Sequence, residues 1–127
     1  MRTKAEKKEY FKTLREGWKQ AKRMLALGKL TEIEAIIANH GMNVSATGFM
    51  FVRIQMEQLG YDGLPYLDAK TYKGWIDSGF RVKKGEHSNL NGITWIGASK
   101  GEGDNKEDFM FPKQYNLFHR TQVEAIA

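Results

Sequence analysis

The sequence predicts an α+β domain in which N-terminal helices are followed by a small antiparallel sheet, and three observations carry that expectation. Apolar residues recur three and four apart as far as Ile76. From Gly79 onward they alternate with polar ones. Glycine and asparagine stand where the turns are needed, as at Gly41, Gly60, Gly85 and Asn91-Gly92. A chain of 127 residues with 41% hydrophobic and 12% aromatic content suits one domain over residues 1–127.

Residues 1–28 read as a basic amphipathic helix. Phe11, Leu14, Trp18, Ala21 and Leu25 follow a 3, 4, 3, 4 spacing, which at 100° per residue stacks them into one apolar seam. Thr31 and Glu34 have capping-box spacing for a second helix with Ile33, Ile36 and Ile37 inward and Gly41 as its stop. A third helix is expected from near Ser45 to Leu59, closed by Gly60, with Phe49, Val52, Met56 and Leu59 on one face. Residues 61–65 read as a loop. Asp68 is the expected cap of a short fourth helix carrying Tyr72, Trp75 and Ile76, which Ser78 and Gly79 end.

The alternating half begins with Phe80 and Val82 on one strand face and Arg81 and Lys83 on the other, running into a Lys84-Gly85-Glu86 turn. Asn91-Gly92 introduces a strand over residues 93–96. Residues 109–111 and 115–118 continue the pattern, with Pro112 marking an edge or bulge. Residues 97–108 hold three glycines and four carboxylates and read as a mobile hairpin loop. Thr121 and Glu124 again have capping-box spacing, with little chain left to extend a helix.

Charge is distributed unevenly. The net charge is +5, from 20 Lys and Arg against 15 Asp and Glu. Residues 1–30 carry ten Lys and Arg against three Glu, so the excess belongs to the first helix. Lys8, Lys12, Arg15, Lys19, Lys22 and Arg23 project within about 100° of arc, while Glu6, Glu9 and Glu16 fall further round. Such a stripe runs about 22 Å and matches a row of phosphates. A solvated surface helix with Glu16 pairing to Lys12 or Lys19 accounts for the same residues equally well.

Several functional classes find no support in the residues. No apolar run exceeds four residues, as at 49–52, which is far short of a membrane span, and no membrane partner is expected. The basic N-terminus lacks the apolar stretch of a secretory signal, and the absence of cysteine suits a reducing cytosol. His40, His87 and His119 lie far apart, HExxH is missing, and no phosphate-binding glycine motif follows a strand. Glu102, Asp104, Glu107 and Asp108 do not fit a calcium loop. No catalytic residue, metal ligand or cofactor site is therefore expected.

Basic and aromatic groups interleave at Phe51 with Arg53, Tyr72-Lys73 with Trp75, Phe80-Arg81, and Lys113 with Tyr115. Single-strand binders use that mixture, cations on the backbone and flat rings on the bases. In a chain this rich in both types, chance also places them side by side, and many of the rings belong to the core.

Residues 43–124 resemble the N-terminal, single-stranded-DNA-binding domain of ArdC-type antirestriction proteins of plasmids, phages and other mobile elements. The likeness rests on the small and polar residues 43–48 leading into an apolar helix, and on the block from Trp75 through Gly79 to Val82-Lys83-Lys84-Gly85-Glu86. It continues through the strand Ile93-Thr94-Trp95-Ile96 to the element from Tyr115 through Phe118, Gln122 and Glu124. Larger members of that family also hold an HExxH metallopeptidase domain, so the resemblance implies binding without proteolysis. It gives the turn a role: Arg81 and Lys83 flank it, while Lys84 and the Gly85 backbone offer charge and a close amide to phosphates.

The expected partner is single-stranded nucleic acid, DNA before RNA, bound with little sequence preference in a host cytosol. The candidate contacts are Arg81, Lys83, Lys84, Gly85, Lys73, Trp75, Arg53, Lys113, Tyr115, Lys8, Lys12, Arg15 and Lys19, with Trp75 either a stacking platform or a core ring. The alternative is a protein inhibitor that grips a host defence or replication factor.

Overall fold

The computed structural model describes residues 3–127, so Met1 and Arg2 of the expected first helix lie outside the described residues. Helix α1 (Lys4–Met24) begins at Thr3, whose hydroxyl accepts the Glu6 amide at 3.1 Å. Its seam packs as the spacing demands: Leu14, Ala21 and Leu25 are buried, and Phe11 and Trp18 are half-buried. Gly28, at φ +106°, turns the chain sharply within Leu25–Lys29, a conformation that favours glycine, and α2 (Leu30–Asn39) folds back. The Thr31 capping box does not form. Thr31 already lies inside α2, which begins at Leu30 without a side-chain cap.

Helix α3 (Ala46–Leu59) is the hub. Ser45 caps it by accepting the Gly48 amide at 3.0 Å, and Gly60 ends it in the left-handed conformation. Ala21, Leu25, Ile33, Phe49 and Met50 form the core between α1, α2 and α3. Val52 and Met56, on α3, join Ala69, Leu90 and Leu117 in a second core against the sheet. Leu59, expected on that inward face, is 48% exposed because the last turn of α3 runs past the core.

Three antiparallel strands, β1 (Ala69–Lys70), β4 (Glu107–His119) and β3 (Leu90–Lys100), form one sheet in the order β1-β4-β3. Strands β2 (Phe80–Val82) and β5 (Val123–Ala125) form a separate antiparallel pair. Both long strands exceed the expected segments. Cross-strand pairs from Ile96 with Phe111 to Lys100 with Glu107 carry the ladder into half of residues 97–108, leaving 101–106 as the connection. Pro112 sits within β4 opposite Trp95, where no further strand covers the outer edge: β1 pairs only with Phe118 and His119. The capping-box spacing at Thr121 starts no helix. His119 and Gln122 instead cap a single turn, with Gln122 accepting the His119 amide at 2.9 Å, and residues 123–125 continue as β5.

Helix α4 (Tyr72–Asp77) is capped by Thr71, which accepts the Gly74 amide at 3.0 Å, and not by Asp68. Asp68 lies one turn too early. It accepts the Leu64 amide at 2.8 Å and the Arg120 Nε–H at 2.7 Å, tying the loop before β1 to the end of β4. Partial burial raises the carboxyl's pKa, but the Leu64 amide and the Arg120 hydrogen bond and charge outweigh it and hold it below the usual carboxylate value. A depressed folded pKa contributes stability that is complete above the unfolded value and lost as pH falls through the folded one. Asp68→Asn is therefore expected to destabilise the domain at neutral pH and to flatten the loss of stability below about pH 4, as read by urea melts between pH 7 and 2.

Candidate nucleic-acid interface

Helix α1 presents its cations as one exposed face. Lys8, Lys12, Arg15, Lys19, Lys22 and Arg23 are all exposed. Among the described residues, none of the six lies within 4.0 Å of a carboxylate, so the Glu16 pairs to Lys12 and Lys19 weighed from the sequence do not form. The charge on this face is uncompensated by direct pairing.

Beside it runs a line of rings. Tyr10 and Phe11 sit 5.2 Å apart, Phe11 meets Phe111 edge-on at 6.4 Å, and Phe111 is 6.3 Å from Phe109, which is 45% exposed. The Arg15 guanidinium lies 5.8 Å from the Phe11 ring. Tyr10 Oη accepts the Gln114 amide at 3.1 Å, and Trp18 meets Trp95 at 5.6 Å, so α1 crosses the β3–β4 hairpin near residues 111–114. A groove of about 520 Å³ opens at the crossing, lined by Tyr10, Phe11, Ile96, Phe111, Pro112 and Lys113, among others. In projection the stripe borders the hairpin side of α1, next to Phe11 and Trp18. The opposite border of the stripe runs beside Glu16, and it is the far side of the apolar seam that meets α3, where a Cβ on Gly17 would lie 2.6 Å from Phe51.

A second cationic patch lies at the other end of β4. Lys73, on α4, and Lys84, beside Gly85 at φ +87°, are exposed and within 4.0 Å of no carboxylate. Arg81 pairs with Glu124 across β2 and β5 at 3.2 Å, and Lys83 donates to the Thr121 carbonyl at 3.2 Å. This patch is anchored through Trp75 to Phe118, six residues along β4 from Pro112 at the α1 crossing, about 20 Å at the rise of a strand. The expected cations therefore fall into two groups.

Three expected contacts are engaged within the fold. Trp75 is fully buried: its Nε1–H donates to the Phe118 carbonyl at 2.8 Å, Phe80 meets it edge-on, and Lys70 and Arg120 lie 5.1 and 5.2 Å from its ring. The ring presents no surface on which a base could stack. Arg53, on α3, is half-buried and pairs with Glu57 at 3.4 Å and Glu32 at 3.9 Å. Tyr115 lies over Gly92, where a Cβ would enter the ring, and its hydroxyl meets that of Tyr66 at 2.7 Å. Burial, with Tyr115 beside it, pushes the Tyr66 phenol well above its ordinary pKa, so Tyr66 keeps its proton in this internal hydrogen bond. Lys113 stays exposed on the rim of the groove.

The rings of the line at the crossing, Tyr10, Phe11, Phe111 and Phe109, of which Phe11 borders the stripe, were not among the expected contacts. Phe11 read only as part of a seam, and nothing local to Phe111 signals a helix 100 residues away. Among the described residues no three His, Asp or Glu side chains gather as a metal site, and no helix is long and apolar enough to cross a membrane. No family model, curated protein or solved structure matches the chain, so the ArdC-type resemblance rests on its sequence motifs alone.

Proposed function

We propose that the domain binds single-stranded nucleic acid, DNA before RNA, along α1. Lys8, Lys12, Arg15 and Lys19 neutralise the backbone, while the line of Phe11 and Phe111 receives unpaired bases. The observation that carries this reading is the six-cation face, free of carboxylate partners, bordering a ring-lined groove. Cations without rings would serve a duplex equally well; rings at the edge of the stripe favour a strand whose bases are free to stack. The sequence likeness to the ArdC-type domain points the same way and adds the setting: counter-defence by a mobile element in a host cytosol, through binding and without catalysis.

Titration of labelled single strands at several salt concentrations tests the reading. With about four phosphates contacted, the logarithmic salt slope is expected near −2.8, so a fourfold rise in salt weakens binding roughly 50-fold. A duplex of equal length is expected to bind more weakly. Equal affinity for the duplex would remove the rings from the site, and no binding in dilute buffer would overturn the proposal. A second reading, inhibition of a host defence protein by direct contact, is favoured by Met110, 57% exposed beside Phe109 on the hairpin. Salt-insensitive capture of such a protein, with no affinity for nucleic acid, is its signature.

A further inference from the structure

Beyond the α1 crossing, the β3–β4 hairpin continues as a bare two-stranded arm. Of residues 97–110 every one but Ala98 is exposed. Phe109 and Met110 point to opposite faces by strand alternation, and both are open at 45% and 57%. A two-stranded ribbon with apolar groups on both faces is marginal in water alone, and it invites a cover.

Its charge selects the cover. The outer arm carries Glu102, Asp104, Glu107 and Asp108 against Lys100 and Lys106, a net negative tip on a chain whose α1 is strongly positive. Among the described residues the arm's carboxylates make no ion pair with the stripe of their own chain, and the tip at residue 105 lies about 20 Å of ribbon beyond the crossing at Phe111. A second molecule's stripe is exposed to such a tip. That stripe also ends beside apolar surface: Leu27, 80% exposed, and Leu30, 45% exposed, follow Lys19, Lys22 and Arg23 at the α1–α2 turn. The two surfaces match in order. On the arm, the carboxylates Asp104, Glu107 and Asp108 adjoin Phe109 and Met110; on the helix, the cations Lys19, Lys22 and Arg23 adjoin Leu27.

We infer that the arm of one molecule docks on the α1 stripe and the Leu27 turn of a second copy, and that the reciprocal contact closes a symmetric dimer. The dimer covers the same cations that the nucleic-acid reading uses, so a bound strand and the second copy compete.

Sedimentation velocity on the full chain in low salt tests this, together with Leu27→Asp, the arm variant Asp104→Lys/Glu107→Lys, the helix variant Lys19→Glu/Lys22→Glu, and the arm and helix variants combined. All these positions are exposed, so the fold does not depend on them. At about 0.1 mM the unaltered chain is expected near twice its 14.6 kDa mass. Leu27→Asp and both charge variants are expected at the monomer mass, with dimer recovered when the arm and helix reversals are combined. A monomer for the unaltered chain at every concentration, a dimer insensitive to these changes, or no recovery in the combined variant would each overturn the inference. The arm variant keeps the α1 stripe and is expected to bind single strands at least as tightly as the unaltered chain. A failed dimer and a failed nucleic-acid site are thus told apart.

Discussion

Replacing Trp75 with alanine is expected to lower folding stability by about 3–5 kcal/mol, among the largest effects of any single substitution in this chain. Its ring has no exposed surface and fills the space between α4, Phe80 and the end of β4. The loss combines a large apolar transfer term, the cavity left behind, and an unpaired Phe118 carbonyl where the indole N–H now donates. For a domain of this size that corresponds to a fall in the melting midpoint on the order of 15 °C. Trp75→Phe separates structure from binding. It keeps most of the ring volume, gives up the Phe118 hydrogen bond, and is expected to cost about 1–2 kcal/mol while leaving single-strand affinity unchanged. Lost affinity in a Phe variant that melts cooperatively would return Trp75 to the interface.

Trp75 also marks where local pattern stops being informative. The helix it sits on, its end at Ser78-Gly79, the strand at Phe80 and the turn at Gly85 were all legible, because each depends on residues within a few positions of one another. The same holds for the α1 seam and for the bounds of α3, near Ser45 and at Gly60. What was not legible depends on distant pairing. Strand β5 exists because residues 80–82 offer an edge some 40 positions earlier, and the hairpin lengthens because the two halves of residues 97–108 support each other across the ladder. Asp68 was misplaced for a similar reason. Its carboxylate is held by Leu64 and by Arg120, whose approach is set by the β1–β4 pairing and not by helix chemistry. At the proposed interface, period alone identified the cations of α1. Their ring-lined border depends on the hairpin crossing that helix, a contact between Phe11 and Phe111 that no local signal carries.

Reversing three of those cations is expected to have the largest effect on binding. Lys8, Lys12 and Lys19 are exposed and have no carboxylate within 4.0 Å, so Lys8→Glu/Lys12→Glu/Lys19→Glu should leave the melting transition nearly unchanged. Binding responds differently. Each lost phosphate contact removes about 0.7 from the logarithmic salt slope, so three remove about 2, which near 0.1 M salt is a weakening on the order of 100-fold. Phe111→Ala provides the complementary result: affinity lower by about 1–3 kcal/mol for a lost stacked base, with the salt slope unaltered, because no cation has gone. The distant turn gives a third pattern. Lys83→Glu/Lys84→Glu, about 20 Å along β4 from the α1 crossing, should spare short oligonucleotides that cover only the stripe and weaken longer ones that span both patches. If the triple reversal leaves both affinity and slope intact while the turn variant abolishes binding of short strands, α1 is a solvated face and the site lies at the Lys84 turn.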